Sequence, residues 1–193
     1  GDGMTDLVNE RDGLLYINKG NGQWEWKNMG GTIVLADLNG DGLMDFVMPS
    51  DDALKVAIYD AATQDYAITL INSTAVIDDT PFCYDFDKDG DIDILATFSA
   101  YNNQNVAYTS FFINDGNGNF TKQNEQNYGS NNKLWFSECQ DIDGDGFYDL
   151  LAFRAEILVY SYAVPLSGNS NTMYFAPGAE VVWLRGGANN TFA

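Results

Sequence analysis

Aspartates crowd three short stretches of this sequence in the same order. The stretches begin at Asp37, Asp85 and Asp141, and each reads D-x-[DN]-x-D-G-x-x-D before it turns apolar. Side chains at alternate positions of a tight loop can converge on one point, and the glycine after the third of them permits a sharp turn. Ca²⁺ takes about six to eight oxygen ligands, whereas Mg²⁺ keeps its waters and rarely occupies an all-protein cage. The spacing therefore predicts one Ca²⁺ site in each stretch.

Each predicted site combines four side chains with the backbone carbonyl of the seventh position. The predicted ligands are Asp37, Asn39, Asp41, the Leu43 carbonyl and Asp45; Asp85, Asp87, Asp89, the Asp91 carbonyl and Asp93; and Asp141, Asp143, Asp145, the Phe147 carbonyl and Asp149. An incomplete copy of the motif, GDGMTDLV, occupies residues 1–8 and retains Asp2 and Asp6. We predict a partial fourth site there. Because the first two ligand positions are missing, we interpret the chain as part of a longer protein.

The acidic loops have two other interpretations. Solvated turns rich in Asp and Gly would need no metal, but three or four carboxylates a few ångströms apart repel one another strongly. An EF-hand loop needs a bidentate Glu at its twelfth position and helices on both sides. The twelfth position here is Met48, Ala96 or Ala152, and both flanks have the pattern of strands. We therefore predict loops between β-strands that each bind a mainly structural Ca²⁺.

The overall charge fits the same prediction. The chain has 28 acidic and 9 basic residues, a net charge of −19 and no histidine. Half of the acidic residues lie in the motifs, whereas general surface acidity would be spread more evenly. Such a charge disfavours nucleic acid and anionic membrane surfaces as partners. No apolar run approaches the roughly 20 residues of a membrane-spanning helix, so no membrane insertion is predicted.

The motif recurs with a spacing typical of β-propeller blades. Its last aspartates, Asp6, Asp45, Asp93 and Asp149, lie 39 to 56 residues apart, and each repeat offers short strands without helical periodicity. We predict a single all-β propeller segment of about four blades, each a four-stranded antiparallel sheet. The approximate blades are 1–30, 31–78, 79–132 and 133–193. The first blade would lack its inner strand, an insertion would make the last irregular, and the segment would belong to a larger propeller.

The repeats resemble the FG-GAP/VCBS repeat family, whose best-known members are the blades of the integrin α-subunit propeller. The resemblance rests on LADLNGDGLMDFVM, YDFDKDGDIDILAT, QDIDGDGFYDLLAF and the truncated GDGMTDLV. It implies that each acidic loop joins the first and second strands of a blade and holds one Ca²⁺. It also implies an extracellular or lumenal location, secreted or at the cell surface, and roles in adhesion or glycan binding.

The residue types argue against catalysis in this chain. Histidine, the usual general base, is missing, and the acids outside the loops show no pairing in sequence. Cys83 and Cys139 occupy equivalent positions in successive repeats. We expect two buried free thiols there rather than a disulfide, whose geometry is demanding.

Aromatic residues and long loops are the candidate recognition elements. Trp24 and Trp26 alternate on one strand, and such rings either bind sugars and protein partners or fill the space between blades. Loops 99–105 and 163–178 are polar and rich in Asn. Three N-glycosylation sequons, at a frequency close to chance, begin at Asn72, Asn119 and Asn189.

We predict a calcium-binding extracellular β-propeller that acts as a non-catalytic adhesion or recognition module. Its partners would be a protein or glycan ligand, or other subunits and remaining blades of the parent protein. The alternative is an architectural part of a larger cell-surface or filament assembly, without a ligand of its own.

Overall fold

The computed structural model describes residues 4–50, 53–72, 76–77, 80–100, 103–130, 134–154, 180–187 and 191–192. Every regular element in these ranges is a β-strand, so the all-β prediction is confirmed. Several sequence predictions fall outside the described residues: Asp2, Asn189, the loop 163–178 and residues 101–102 of the loop 99–105. The described part of the chain contains no helix long and apolar enough to cross a membrane.

The strands form four main antiparallel sheets in chain order. The first sheet contains β1 (Leu7–Asn9), β2 (Leu14–Asn18) and β3 (Trp24–Asn28), and the second contains β4 (Val34–Ala36), β5 (Asp45–Ser50), β6 (Ala53–Asp60) and β7 (Asp65–Asn72). In both sheets each strand pairs with the strand that follows it in sequence. This up-and-down order is that of propeller blades.

The third and fourth sheets repeat the arrangement with irregularities. The third contains β8 (Val76–Ile77), β9 (Phe82–Tyr84), β10 (Asp93–Ala100), β11 (Asn103–Asn114) and β12 (Phe120–Ser130), with β8 and β9 both pairing with β10. The fourth contains β13 (Leu134–Gln140), β14 (Asp149–Arg154) and β15 (Glu180–Leu184), followed by the short pair β16 (Gly186–Gly187) and β17 (Thr191–Phe192).

Apolar side chains pack between successive sheets. Alternate residues of one strand point to opposite faces, so Phe46 of β5 packs towards the first sheet while Val47 packs towards the third. In the same way Ile94 of β10 faces the second sheet and Leu95 faces the fourth. Because β5 and β10 are covered on both faces, they are buried at consecutive positions, 45–48 and 93–98, rather than at every second one.

The acidic loops occupy the same place in three sheets. Residues 37–44 connect β4 to β5, residues 85–92 connect β9 to β10, and residues 141–148 connect β13 to β14. Each loop thus joins two strands that pair with each other. In the second and fourth sheets these are the first and second strands, as the resemblance implied, and in the third sheet the short strand β8 precedes them. The ninth residue of each motif, an aspartate, is the first residue of the second strand.

Candidate metal centres

The ninth aspartate of each motif is fully buried and accepts at least two backbone hydrogen bonds. In the first loop, Asp45 accepts the N–H of Leu38 at 2.9 Å with Oδ2 and the N–H of Tyr59 at 2.8 Å with Oδ1. The donor pairs in the other loops are Phe86 and Asn114 for Asp93, and Ile142 and Gly186 for Asp149. One donor comes from the loop and the other from a strand later in the chain, β6, β11 or β16, so this carboxylate fastens the loop to that strand.

The incomplete motif keeps half of this arrangement. Asp6 accepts the N–H of Asn18 at 2.8 Å, which is the bond to the hairpin. The residues before Met4 lie outside the described part of the chain, so Asp2 cannot be placed relative to Asp6.

The other acidic positions organise the loop itself. The first aspartate accepts the N–H of the sixth residue, a glycine, with Asp85 bound to Gly90 at 3.0 Å. The fifth-position aspartate accepts the N–H of the seventh residue, as Asp89 does from Asp91 at 3.0 Å. The corresponding bonds in the other loops join Asp37 to Gly42, Asp41 to Leu43, Asp141 to Gly146 and Asp145 to Phe147. Asp37 and Asp141 use both oxygens in this way, because their Oδ1 atoms accept the N–H groups of Asp41 and Gly144. Asp85 uses only Oδ2.

Left-handed backbone at two positions allows this turn. The sixth-position glycines have φ values of 82°, 103° and 88°, as expected for the glycine after the third predicted ligand. The fourth position is also left-handed, and it is Gly40 and Gly144 in two loops but Lys88 in the second, with φ of 66°. A lysine in this conformation is uncommon, which shows that the loop geometry is imposed by its hydrogen bonds rather than by residue preference.

In the second loop three carboxylates converge. Asp85, Asp87 and Asp89 each offer an oxygen, and these oxygens lie within 4.8 Å of one another. Ligands at about 2.3–2.6 Å from a single Ca²⁺ are separated by at most about 5 Å, so the three oxygens fit one ion of that size. Oδ1 of Asp85 is buried and has no hydrogen-bond partner in the described structure. A buried carboxylate oxygen without a partner is costly unless a cation or water completes it.

In the third loop a different set of three carboxylates converges, and in the first loop the convergence is less complete. Asp141, Asp143 and Asp149 bring oxygens within the same 4.8 Å. In the first loop the third position is Asn39, whose amide Nδ2 donates to Asp41 at 3.0 Å. Among the described residues, the carboxylates of this loop do not form a comparable group of three.

Burial and mutual repulsion oppose charge in the second loop. Burial raises the pKa of Asp93 to about 6, although hydrogen bonds from Asn114 and Phe86 act in the opposite direction. Desolvation also raises the pKa of Asp87, and the negative charge of Asp89 adds to that shift. In the first loop, burial likewise raises the pKa of Asp45. A bound cation would favour the charged forms, because it supplies the opposite charge that the protein lacks there.

Two cationic side chains lie at the third loop. Arg185 contacts Asp143 Oδ2 through Nε at 2.6 Å and Asp145 Oδ2 through Nη2 at 3.0 Å. These carboxylates raise the pKa of the guanidinium. The side chain of Lys88 extends from the second loop to the third, where its Nζ lies 4.1 Å from the centroid of the Phe147 ring.

Asn114 contacts two acidic loops, although it lies outside the acidic motif. The stretch N-x-G-N-G that begins at Asn114 has the composition of a tight turn. Asn114 itself is 4% exposed, and its Nδ2 donates to the carbonyls of Leu38 at 2.7 Å and Ile92 at 2.9 Å. It therefore ties the first acidic loop to the second. The repeated asparagine at Asn18, whose Nδ2 bonds to the Thr5 carbonyl, was the available signal.

The remaining predicted residues are placed as follows. Both cysteines are free, with Cys139 buried and Cys83 half-buried. Asn119 is exposed, but its Nδ2 donates to the carboxylate of Asp115 within the hairpin turn. Asn72 is the last residue of β7, and the next residues of its sequon fall outside the described ranges.

The sheets and their loops define a class of protein: a β-propeller segment whose blades carry aspartate-rich loops between two neighbouring strands. The FG-GAP-like repeat model matches residues 37–96 and 85–152, which together make up more than half of the chain. The chain belongs to the FG-GAP-like repeat family. A comparison with curated proteins finds none that matches it.

Proposed function

We propose that this chain is a non-catalytic recognition module whose acidic loops bind Ca²⁺. The observation that carries the proposal is the second loop, where three carboxylate oxygens lie within 4.8 Å and Asp85 Oδ1 is buried without a partner. Asp85, Asp87 and Asp89 would hold the ion there. The ion would supply the positive charge that lets these side chains stay ionised side by side, so its role is structural.

A Ca²⁺ titration of the second loop tests the proposal. In calorimetry, Asp89→Ala is expected to remove one binding step, because Asp89 is exposed and contributes an oxygen to a single loop. Asp65→Ala is the matched control, since Asp65 is also exposed but lies outside the acidic motifs and pairs with Lys27. Mg²⁺ is expected to bind more weakly. A wild-type chain that takes up no Ca²⁺ at millimolar concentration would overturn the proposal.

An extracellular location is part of the same proposal. Sites in extracellular modules commonly bind Ca²⁺ with dissociation constants of about 10⁻⁴–10⁻³ M, which suits loops built from one short segment each. Measured affinities much tighter than this range would instead fit a cytosolic sensor or buffer.

An uncovered apolar face on the first sheet supports the recognition role. Leu7, Tyr16 and Trp26 lie side by side in register across the three strands, and Trp26 is 64% exposed. Trp24 shares this face because it is two residues from Trp26. Among the described residues nothing covers these rings. Rings presented in this way suit sugars and protein hot spots.

The architectural alternative has an observation of its own. The fourth sheet also leaves an apolar face exposed, with Val181 60% and Trp183 49% accessible. A stack with apolar faces at both ends is suited to contact with further blades or subunits.

Glycan-array binding and light scattering distinguish the two functions. A monomer whose glycan binding is lost in Trp26→Ala but kept in Trp183→Ala would favour recognition. Self-association that both substitutions weaken, without any glycan binding, would favour the architectural role.

A further inference from the structure

The third acidic loop contains a cation from its own chain. The guanidinium of Arg185 bridges Asp143 and Asp145, at 2.6 and 3.0 Å. Both carboxylates are predicted ligands, and Asp143 also uses its other oxygen to accept the N–H of Asp145. Asp143 therefore has both oxygens engaged before any metal arrives. Among the described residues of the second loop, no comparable ion pair involves Asp85, Asp87 or Asp89.

The backbone next to Arg185 is held against the same loop. Gly186 donates its N–H to Asp149 Oδ1 at 2.7 Å, and a Cβ at this glycine would collide with the carbonyl of Tyr148. Residues 185 and 186 thus contact three acidic side chains of one loop. The backbone that carries Arg185 is held in place by this bond. The ion pair therefore differs from an ordinary surface salt bridge, in which both side chains are mobile.

The corresponding position in the other sheets is apolar. The residue whose N–H reaches the ninth aspartate is Tyr59 in the second sheet and Asn114 in the third, and isoleucine precedes it in both. The same is true of Ile17 before Asn18 in the first sheet. Arginine replaces isoleucine in the fourth sheet alone of these sheets, so the positive charge is a property of this loop and not of the repeat.

We propose that Arg185 is a built-in counter-ion of the third loop, which holds Asp143 and Asp145 when no divalent cation is bound and must release them when one binds. The inference rests on the proposed Ca²⁺ binding. It follows that the third loop binds Ca²⁺ more weakly than the second loop does. The folded shape of the third loop also depends less on bound metal than that of the second. The repeated motif would then form sites with different Ca²⁺ affinities within one chain.

Neutralising Arg185 tests this assignment. In Arg185→Gln the Ca²⁺ affinity of the third loop is expected to rise on the order of tenfold at low ionic strength, because a unit positive charge near the ion is removed. The binding step that disappears in Asp141→Ala identifies the third loop. Lys27→Gln removes the same charge in the first sheet and is expected to leave that step unchanged. Without metal, Arg185→Gln is expected to melt at a lower temperature than wild type, and saturating Ca²⁺ should remove the difference.

A second variant separates charge from local geometry. Arg185→Lys keeps the positive charge, so its third-loop affinity is expected to stay near that of wild type. An equal gain in Arg185→Lys and Arg185→Gln, or no gain in either while the second loop binds normally, would overturn the role of Arg185. If no loop of the wild-type chain binds Ca²⁺, the proposed function itself fails, which is a separate outcome.

Discussion

At the residue scale, the aspartates of one motif have two different roles. The ninth aspartate is buried and spends both oxygens on backbone N–H groups, whereas the third and fifth positions of the second loop are exposed and leave an oxygen free to converge. The first role is needed for the fold with or without metal. The second opposes folding unless a cation is present, because it gathers like charges.

Substitutions in the second loop should separate these roles. Asp93→Ala leaves the N–H groups of Phe86 and Asn114 without their acceptor, and we expect the free energy of unfolding to fall by about 2 kcal/mol even in chelator. Asp89→Ala should change stability in chelator little, and should lower it only when Ca²⁺ is present. Urea unfolding of both variants, with and without Ca²⁺, measures the contrast. Equal losses for the two variants in chelator would contradict it.

At the scale of elements, the acidic loops are connected to each other as well as to their own sheets. Asn114, at the end of β11, donates to carbonyls of the first and second loops and accepts the N–H of Gly118 in its own hairpin. The hairpin 114–120 also lies close to the preceding sheet, since a Cβ at Gly118 would meet Ile58 at 2.9 Å. A loop that changes shape on binding metal would therefore affect its neighbour.

Asn114→Ala is expected to lower the free energy of unfolding by about 1–3 kcal/mol, because the buried carbonyl of Leu38 and the half-buried carbonyl of Ile92 lose their donor. The variant should also lose the connection between the two loops. Ca²⁺ binding to the second loop should then no longer protect the backbone amides of the first loop from hydrogen exchange. Asn117→Ala is the control, since Asn117 is exposed and bonds only within the turn. Unchanged stability in Asn114→Ala would show that the bridge is unimportant.

At the scale of the whole molecule, a stack of apolar interfaces must overcome a net charge of −19. Successive sheets bury continuous apolar clusters against each other. Long-range repulsion between acidic loops opposes that packing, and it is reduced by bound cations or by dissolved salt.

Bound metal and dissolved salt should therefore both reduce the repulsion between the acidic loops. In chelator, the melting temperature is expected to rise as NaCl increases from about 0.05 to 0.5 M, because the Debye length shrinks well below the dimensions of the domain. With saturating Ca²⁺ the melting temperature should be higher and its dependence on salt smaller. Differential scanning calorimetry measures both, and a salt dependence that is identical in the two conditions would contradict this account.

The sequence alone was sufficient for the all-β fold and for the position of the acidic loops. The period of the motif, its glycines and the apolar residues on either side of it are local patterns, and local patterns determine turns and strand boundaries directly. That is why the loops after Ala36, Tyr84 and Gln140 were found where the structure has them.

Only the tertiary structure decided what each polar side chain contacts. Asp45 and Asp93 were predicted simply as ligands, but their backbone donors come from hairpins 14 and 21 residues away. Arg185 lies 40 residues from Asp145, and Asn114 lies 76 from Leu38. Such contacts depend on how sheets stack and on burial, which removes water as a competing partner, and neither is encoded in the spacing of a motif.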